Sequence, residues 1–281
     1  MITGKVPLTY KLGGEIEINR LGYGAMQLTG DGVFGEVADR RNAKIVLQTA
    51  VANGVNFIDT AEAYGPKLNE SLIAEALHPY RSDVVIATKG GFNRPGPNKW
   101  IPNGNPDYIR QNIEGSLERL KVDTIDLWQL HRIDPNVRVD ETLAPVVEAV
   151  KAGKIKYVGL SEVTIEQIDE VSNILPVASV QNMYNLGNRQ WENVLDYTLE
   201  NAMAFIPWFP LASGPHKMAE KINAIALKYE ATVAQIALAW LLKRSPNILL
   251  IPGTKSVEHL HENLKAAEVD LTDEEFEELA A

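Results

Sequence analysis

Residues 155–182 read IKYVGLSEVTIEQIDEVSNILPVASVQN. Ile155 to Leu160 is a short run with β-branched and aromatic residues, and Val177 to Asn182 is a second apolar run. Between them, Thr164 to Leu175 repeats its apolar residues at three- and four-residue spacing, the pattern of an amphipathic helix. A strand, a helix and a strand of this length form a crossover unit that sets neighbouring strands parallel and buries both sheet faces.

The same unit recurs on both sides. Further apolar runs start at Arg20 (RLGYGAM), Val55 (VNFID), Val84 (VVIAT), Ile125 (IDLWQL), Ala204 (AFIPWF) and Ile248 (ILLIPG), with helical segments such as DRRNAKIVLQTAVANG and Asp107 to Leu120 between them. Eight strand-and-helix units in 281 residues predict an α/β fold of the (β/α)8 TIM-barrel type rather than an open doubly wound sheet. The nearest approach to a GxGxxG loop, GYGAMQ from Gly22 to Gln27, lacks its last glycine, which disfavours the open-sheet dinucleotide site. Ahead of the first strand, LTYKLGGEIEIN alternates around Gly13-Gly14 and predicts a β-hairpin placed to plug the barrel bottom. No linker or low-complexity segment divides the chain, so residues 1–281 read as a single domain.

Composition narrows the function classes. There is no cysteine, which removes disulfides, thiolate metal ligation and a cysteine nucleophile; no metal site is predicted. The net charge of -10 and the lack of a dense Lys/Arg run argue against nucleic acid. The first residues lack a signal-peptide core, and AQIALAWLL (Ala234 to Leu242) is too short to span a bilayer. The expectation is a cytoplasmic protein without a membrane partner, monomeric or weakly homo-oligomeric.

In a barrel of this kind the catalytic groups sit at the carboxyl ends of several strands. The second run ends in Asp59 and leads to Tyr64, the third ends at Lys89, and the fourth ends at His131. Singly, Asp59 reads as an N-cap, Tyr64 as a rim residue, His131 as a structural histidine and Lys89 as a solvated one. Together, ionisable groups at three adjacent strand ends are costly to bury unless they serve one another.

These residues carry a resemblance. FIDTAEAYG with Asp59 and Tyr64, VVIATKGG with Lys89, IDLWQLHRID with His131, YVGLSE, SVQNMYN and IPGTKSVEHLHEN, in order from about Arg20 to Asn263, resemble the aldo-keto reductase superfamily. Within it the chain is similar to compact bacterial members, including a pyridoxal-reductase-like branch. The resemblance implies reduction of aldehyde or ketone carbonyls with NADPH, NADH being less favoured, by Asp59, Tyr64, Lys89 and His131.

It further implies cofactor contacts from Gly24, Ala25, Met26 and Asp59, and from Ser161, Glu162 and Gln181 at the nicotinamide carboxamide. Trp208 stacks on the ring in this reading, followed by Phe209, Pro210, Leu211 and Ser213. Gly253 and Thr254 lead to Lys255, Ser256 and His259 in the region of the 2'-phosphate, with Glu262 and Asn263 near adenine. Relatives commonly carry Asn at the Glu162 position and often Arg where His259 stands. A lysine, a hydroxyl and a helix starting at Val257 suit a phosphate.

The chemistry is derivable from the residues. Carbonyl reduction needs a proton on the developing alkoxide, and Tyr64 is the candidate acid. Bringing a phenol from about 10 to near 8 takes roughly 2.7 kcal/mol of preference for phenolate, which a close Lys89 would supply, with Asp59 holding that lysine charged. His131, as neutral imidazole, would orient the carbonyl oxygen. A substrate pocket is expected from Gln27, Phe34, Phe92 and Trp100, on the loops 27–36 and 91–107. After Asn263 the sequence offers only a helix end and an acidic helix capped by Thr272 with Glu275, which implies an open pocket and broad specificity. Two other readings stay open: a cofactor-sensing regulatory or binding subunit with little turnover, and a Schiff-base aldolase using Lys89.

Overall fold

The computed structural model describes residue 2, residues 5–211 and residues 216–281. An antiparallel hairpin, β1 (Thr9–Leu12) and β2 (Ile16–Asn19), comes first and turns through Gly13 and Gly14. Both glycines have positive φ, and a Cβ on Gly13 would lie 2.2 Å from the Tyr157 ring, so this turn takes no side chain.

The barrel follows: β3 (Tyr23–Gly24), α1 (Arg40–Ala52), β4 (Phe57–Asp59), α2 (Leu68–Leu77) and β5 (Val85–Gly90). A second hairpin, β6 (Phe92–Gly96) and β7 (Lys99–Pro102), precedes α3 (Pro106–Leu120). The alternation resumes with β8 (Ile125–Leu130), α4 (Val139–Lys151), β9 (Ile155–Ser161), α5 (Ile165–Ser172), β10 (Val177–Gln181), α6 (Glu192–Glu200) and β11 (Ala204–Phe205). It ends with α7 (His216–Lys228), α8 (Val233–Arg244), α9 (Val257–Leu264) and α10 (Asp273–Ala280).

Seven strands form one parallel sheet in the order β11-β10-β9-β8-β5-β4-β3. The eighth run closes it through parallel bridges, Leu21 to Leu250 on one side and Phe205 to Ile248 on the other. Gly22 N–H donates to Leu250 O at 2.8 Å and Leu249 N–H to Phe205 O at 2.9 Å across the two seams. The barrel interior packs Phe57, Val85, Leu127, Ile206 and Leu249 against Leu12 and Ile18 of the first hairpin, which therefore caps the barrel bottom as the alternation around Gly13-Gly14 predicts.

Local sequence explains the outer ring. Asp39 caps α1 by accepting from Asn42 N–H, and Asn105 caps α3, which has Pro106 at its first position. Thr164, Thr232 and Thr272 each form a capping box with the Gln or Glu three residues on. The AQIALAWLL segment lies in α8, buried along nearly its whole length. No single helix among the described residues is long and apolar enough to cross a membrane; α8 passes only jointly with the part of α7 from Glu220, bent at 92°.

Three elements differ from the sequence expectation. The first and seventh strands shrink to two residues each, because the seams on either side of the eighth run are held by single bridges. The Pro/Gly/Asn-rich segment after Gly91 is a β-hairpin, not a bare loop. Its turn holds Pro97 and Asn98, the latter at φ 56°, and its other prolines, Pro95 and Pro102, sit in a two-stranded sheet whose outer sides need no donors.

Candidate active site

Strand order fixes the site. Asp59 ends β4, Lys89 lies one residue from the end of its neighbour β5, and His131 directly follows β8, the next strand in the sheet. Tyr64 comes from the turn after β4, where Tyr64 N–H donates to Ala61 O and Glu62 N–H donates to Lys89 O, folding that turn over β5.

All four side chains are buried, and Lys89 is fully so. Lys89 Nζ donates to Asp59 Oδ1 at 2.5 Å, to Thr60 O at 2.9 Å and to the Tyr64 hydroxyl at 3.4 Å. The three ammonium protons thus have three acceptors. Asp59 Oδ2 accepts from Gln181 Nε2 at 2.9 Å and from Gln129 Nε2 at 3.3 Å. Burial pushes the Lys89 ammonium down, but Asp59 and Tyr64 outweigh it and the pKa ends raised. A lysine held charged with every proton engaged is a poor amine nucleophile, which removes support for the Schiff-base reading.

Tyr64 departs from the expectation of a lowered pKa. Burial dominates and holds the phenol above its ordinary value, because the Lys89 charge that would lower it is offset by Asp59 beside it. His131 is pushed well below the ordinary imidazole range, by burial first and then by the Lys89, Arg132 and Arg94 charges. It is neutral near pH 7. Its Nδ1 is buried without a partner among the described residues, and its ring stands edge-on to Tyr64, Phe92 and Trp100.

Asp59, Tyr64 and His131 line a cavity of about 810 Å³ at the carboxyl ends of the strands, a size that suits a small-molecule site, while Lys89, wholly buried, is not on its wall. Among the predicted residues, Gly24, Met26, Gln27, Asp59, Tyr64, Phe92, Trp100 and His131 line it. So do Ser161, Gln181, Trp208, Phe209, Pro210, Leu211 and Gly253. Ala25 is wholly buried and not on the wall, its carbonyl accepting from Asn69 Nδ2. Ser213 lies outside the described residues.

Several predicted residues are placed elsewhere. Phe34 is not on the cavity wall; its ring centre lies 5.9 Å from the Arg94 guanidinium. Glu162 also stands off the wall. Its φ is 55°, in the left-handed region, and its Oε1 accepts from Trp208 Nε1 at 2.7 Å and Met183 N–H at 2.5 Å. Through that oxygen Glu162 braces the tryptophan.

Thr254, Lys255 and Ser256, which lead into α9, and His259, Glu262 and Asn263 within it lie outside the cavity lining. Ser256 Oγ accepts from His259 N–H at 3.3 Å, Thr254 Oγ1 from Ser256 N–H at 3.0 Å, and Lys255 O from Asn42 Nδ2 at 2.7 Å. Lys255 and His259 are exposed and Asn263 is buried.

Sequence reasoning missed six cavity-lining residues: Val33, Pro102, Arg132, Ile133, Ile251 and Pro252. Arg132 had a signal, since it follows His131 at a strand end. Arg94 was missed as well. It donates to Lys99 O, Ala63 O and Gly32 O at 2.7–2.9 Å and stacks 3.4 Å from the Trp100 ring centre, tying the second hairpin to two neighbouring loops.

A family model described as "Aldo/keto reductase family" matches residues 20–281. An uncharacterized oxidoreductase of Schizosaccharomyces pombe is 47% identical over 267 residues, covering 95% of this chain and 87% of its own. The pyridoxine 4-dehydrogenase of Escherichia coli is 40% identical over 272 residues, covering 95% of each. A crystal structure of an aldo/keto reductase from Klebsiella pneumoniae in complex with NADP and acetate aligns with TM-score 0.83 at 25% identity, over 98% of this chain and 94% of that one. The fold is that of a barrel oxidoreductase. The chain belongs to the aldo/keto reductase family, whose members are NAD(P)H-dependent oxidoreductases.

Proposed function

We propose that the protein reduces aldehyde and ketone carbonyls to alcohols with NADPH, Tyr64 supplying the proton, and that residues 1–281 act as one domain. The observation that carries this reading is the buried Lys89 ammonium bonded to both Asp59 and the Tyr64 hydroxyl, two groups that line the cavity together with neutral His131.

The residues present fit a nicotinamide cofactor. Trp208 offers a flat ring at the cavity wall, braced by Glu162. Ser161 Oγ accepts from Arg132 Nη1 at 2.9 Å and so keeps its own proton to donate to a carboxamide oxygen. Gln181, whose Nε2 faces Asp59, has no protein donor to Oε1 among the described residues, and that oxygen can accept from a carboxamide amine. Lys255, Ser256 and the start of α9 suit the 2'-phosphate that distinguishes NADPH. When bound, the cofactor supplies the hydride to the carbonyl carbon.

The chain's own groups do the rest. Tyr64, held protonated at neutral pH, passes its proton to the developing alkoxide, and Lys89 at 3.4 Å stabilises the phenolate left behind. With no acceptor for Nδ1, the His131 ring proton belongs on Nε2, where it donates to the carbonyl oxygen and aims it at Tyr64.

A screen of aromatic aldehydes, pyridoxal and simple ketones with NADPH and NADH side by side tests the proposal; the name of the Escherichia coli relative puts pyridoxal in the set. Turnover with NADPH ahead of NADH is expected. Tight NADPH binding with no turnover of any carbonyl would overturn it in favour of a cofactor-sensing subunit.

A further inference from the structure

Arg132 is the one arginine on the cavity wall among the described residues, and the proposed proton transfer leaves its charge unused. Its Nη1 donates to His131 O at 2.6 Å and to Ser161 Oγ at 2.9 Å, and its guanidinium carbon lies 5.6 Å from the Phe92 ring centre. Among the described residues, no protein acceptor lies within hydrogen-bond distance of Nε or Nη2, and no carboxylate approaches within 4 Å to form an ion pair. Glu162 is the carboxylate whose charge bears on it, and its Oε1 is already engaged by Trp208 and Met183.

A half-buried guanidinium against aromatic rings, with most of its donors unmatched, is costly unless an anion completes it. Its planar fork matches a carboxylate or phosphate with two parallel N–H···O bonds. The rest of the cavity wall beside it, Phe92, Trp100, Pro102 and Ile133, is apolar and suits a ring or short hydrocarbon between two polar ends.

We infer that the preferred substrates are carbonyl compounds carrying a second, anionic group, whose carboxylate or phosphate is held by Arg132 while the carbonyl faces Tyr64 and His131. This rests on the reductase reading and deepens it. The chain as a whole carries a net charge of -10, so the attraction is local to this wall and not a property of the surface field.

The test compares 4-carboxybenzaldehyde with its near-isosteric neutral partner 4-methylbenzaldehyde. Calorimetric titration of each into the NADP+-loaded protein reads the inference, and NADPH consumption with the same pair reads the reductase assignment separately. At least tenfold tighter binding of the carboxylated aldehyde is expected, collapsing to less than about threefold in Arg132→Leu and in Arg132→Gln, either of which that still binds the neutral aldehyde serves. Equal binding of the two aldehydes by the unaltered protein would overturn the inference even if both are reduced. A preference that survives in both variants would also overturn it, placing the carboxylate at the Tyr64–His131 end instead.

Discussion

Two fully buried cations stand at opposite ends of the barrel, and they are stabilised in opposite ways. Arg20, at the bottom, donates to four backbone carbonyls: Ile248 at 2.9 Å, Pro7 at 2.7 Å, Leu242 at 2.9 Å and Ser245. No carboxylate reaches it among the described residues, and burial pushes its pKa down to about 10. Lys89, at the mouth, meets a carboxylate and a phenol, and its pKa is raised. Arg20 is solvated by fixed neutral dipoles that join the first strand to the eighth, so its bonds are structural and complete. Lys89 shares its charge with a group that can lose a proton, so its environment changes when the proton leaves.

Removing each cation sharpens that contrast. Lys89→Met should cost about 3–5 kcal/mol of stability, because Asp59 is left as an uncompensated buried charge. Asp59→Asn combined with Lys89→Met should recover most of that loss, and denaturant titration of both reads the difference. Arg20→Met should cost about 2–4 kcal/mol, since buried carbonyls lose their donors, while kcat per folded molecule stays unchanged. A fall in kcat matching that of Lys89→Met would break the distinction between the two ends.

The fold was legible because one crossover unit could be read and then counted. IDLWQL is β8 to the residue, Thr272 and Glu275 form the predicted capping box, and Gly13-Gly14 turns the hairpin. The second hairpin was not legible, since Pro95, Pro102 and two glycines mask a strand whose only pairing is local. At the site, residue types at strand ends placed Asp59, Tyr64, Lys89 and His131 together. The direction in which Glu162 points was hidden, because its left-handed backbone turns the side chain toward Trp208, and sequence spacing carries no φ. The net effect on Tyr64 was hidden for a related reason. Whether Lys89 or burial prevails depends on how closely Asp59 neutralises the lysine, a distance rather than a pattern.

The smallest expected effect is in pH dependence, and it bears on the mouth alone. In the proposed reaction Tyr64 gives its proton when protonated, which holds below its pKa; that pKa is raised, so reduction should not decline until above about pH 10. His131 is neutral above its pKa, and that pKa is well below 6.5, so no acid limb from the imidazole is expected near pH 6. The kcat/KM profile for aldehyde reduction should therefore be flat from about pH 6 to 9, whereas alcohol oxidation, which needs phenolate, should rise with pH. A bell centred near pH 7 would contradict both assignments.

The central claim is that the paired cation at the mouth serves a proton transfer by Tyr64. Tyr64→Phe keeps the ring and removes only the hydroxyl, and its rate of NADPH oxidation with an aromatic aldehyde, measured beside its NADPH affinity, tests this most directly. A rate lowered by about 10² to 10⁴ with NADPH binding retained is predicted; an undiminished rate would show that another group delivers the proton.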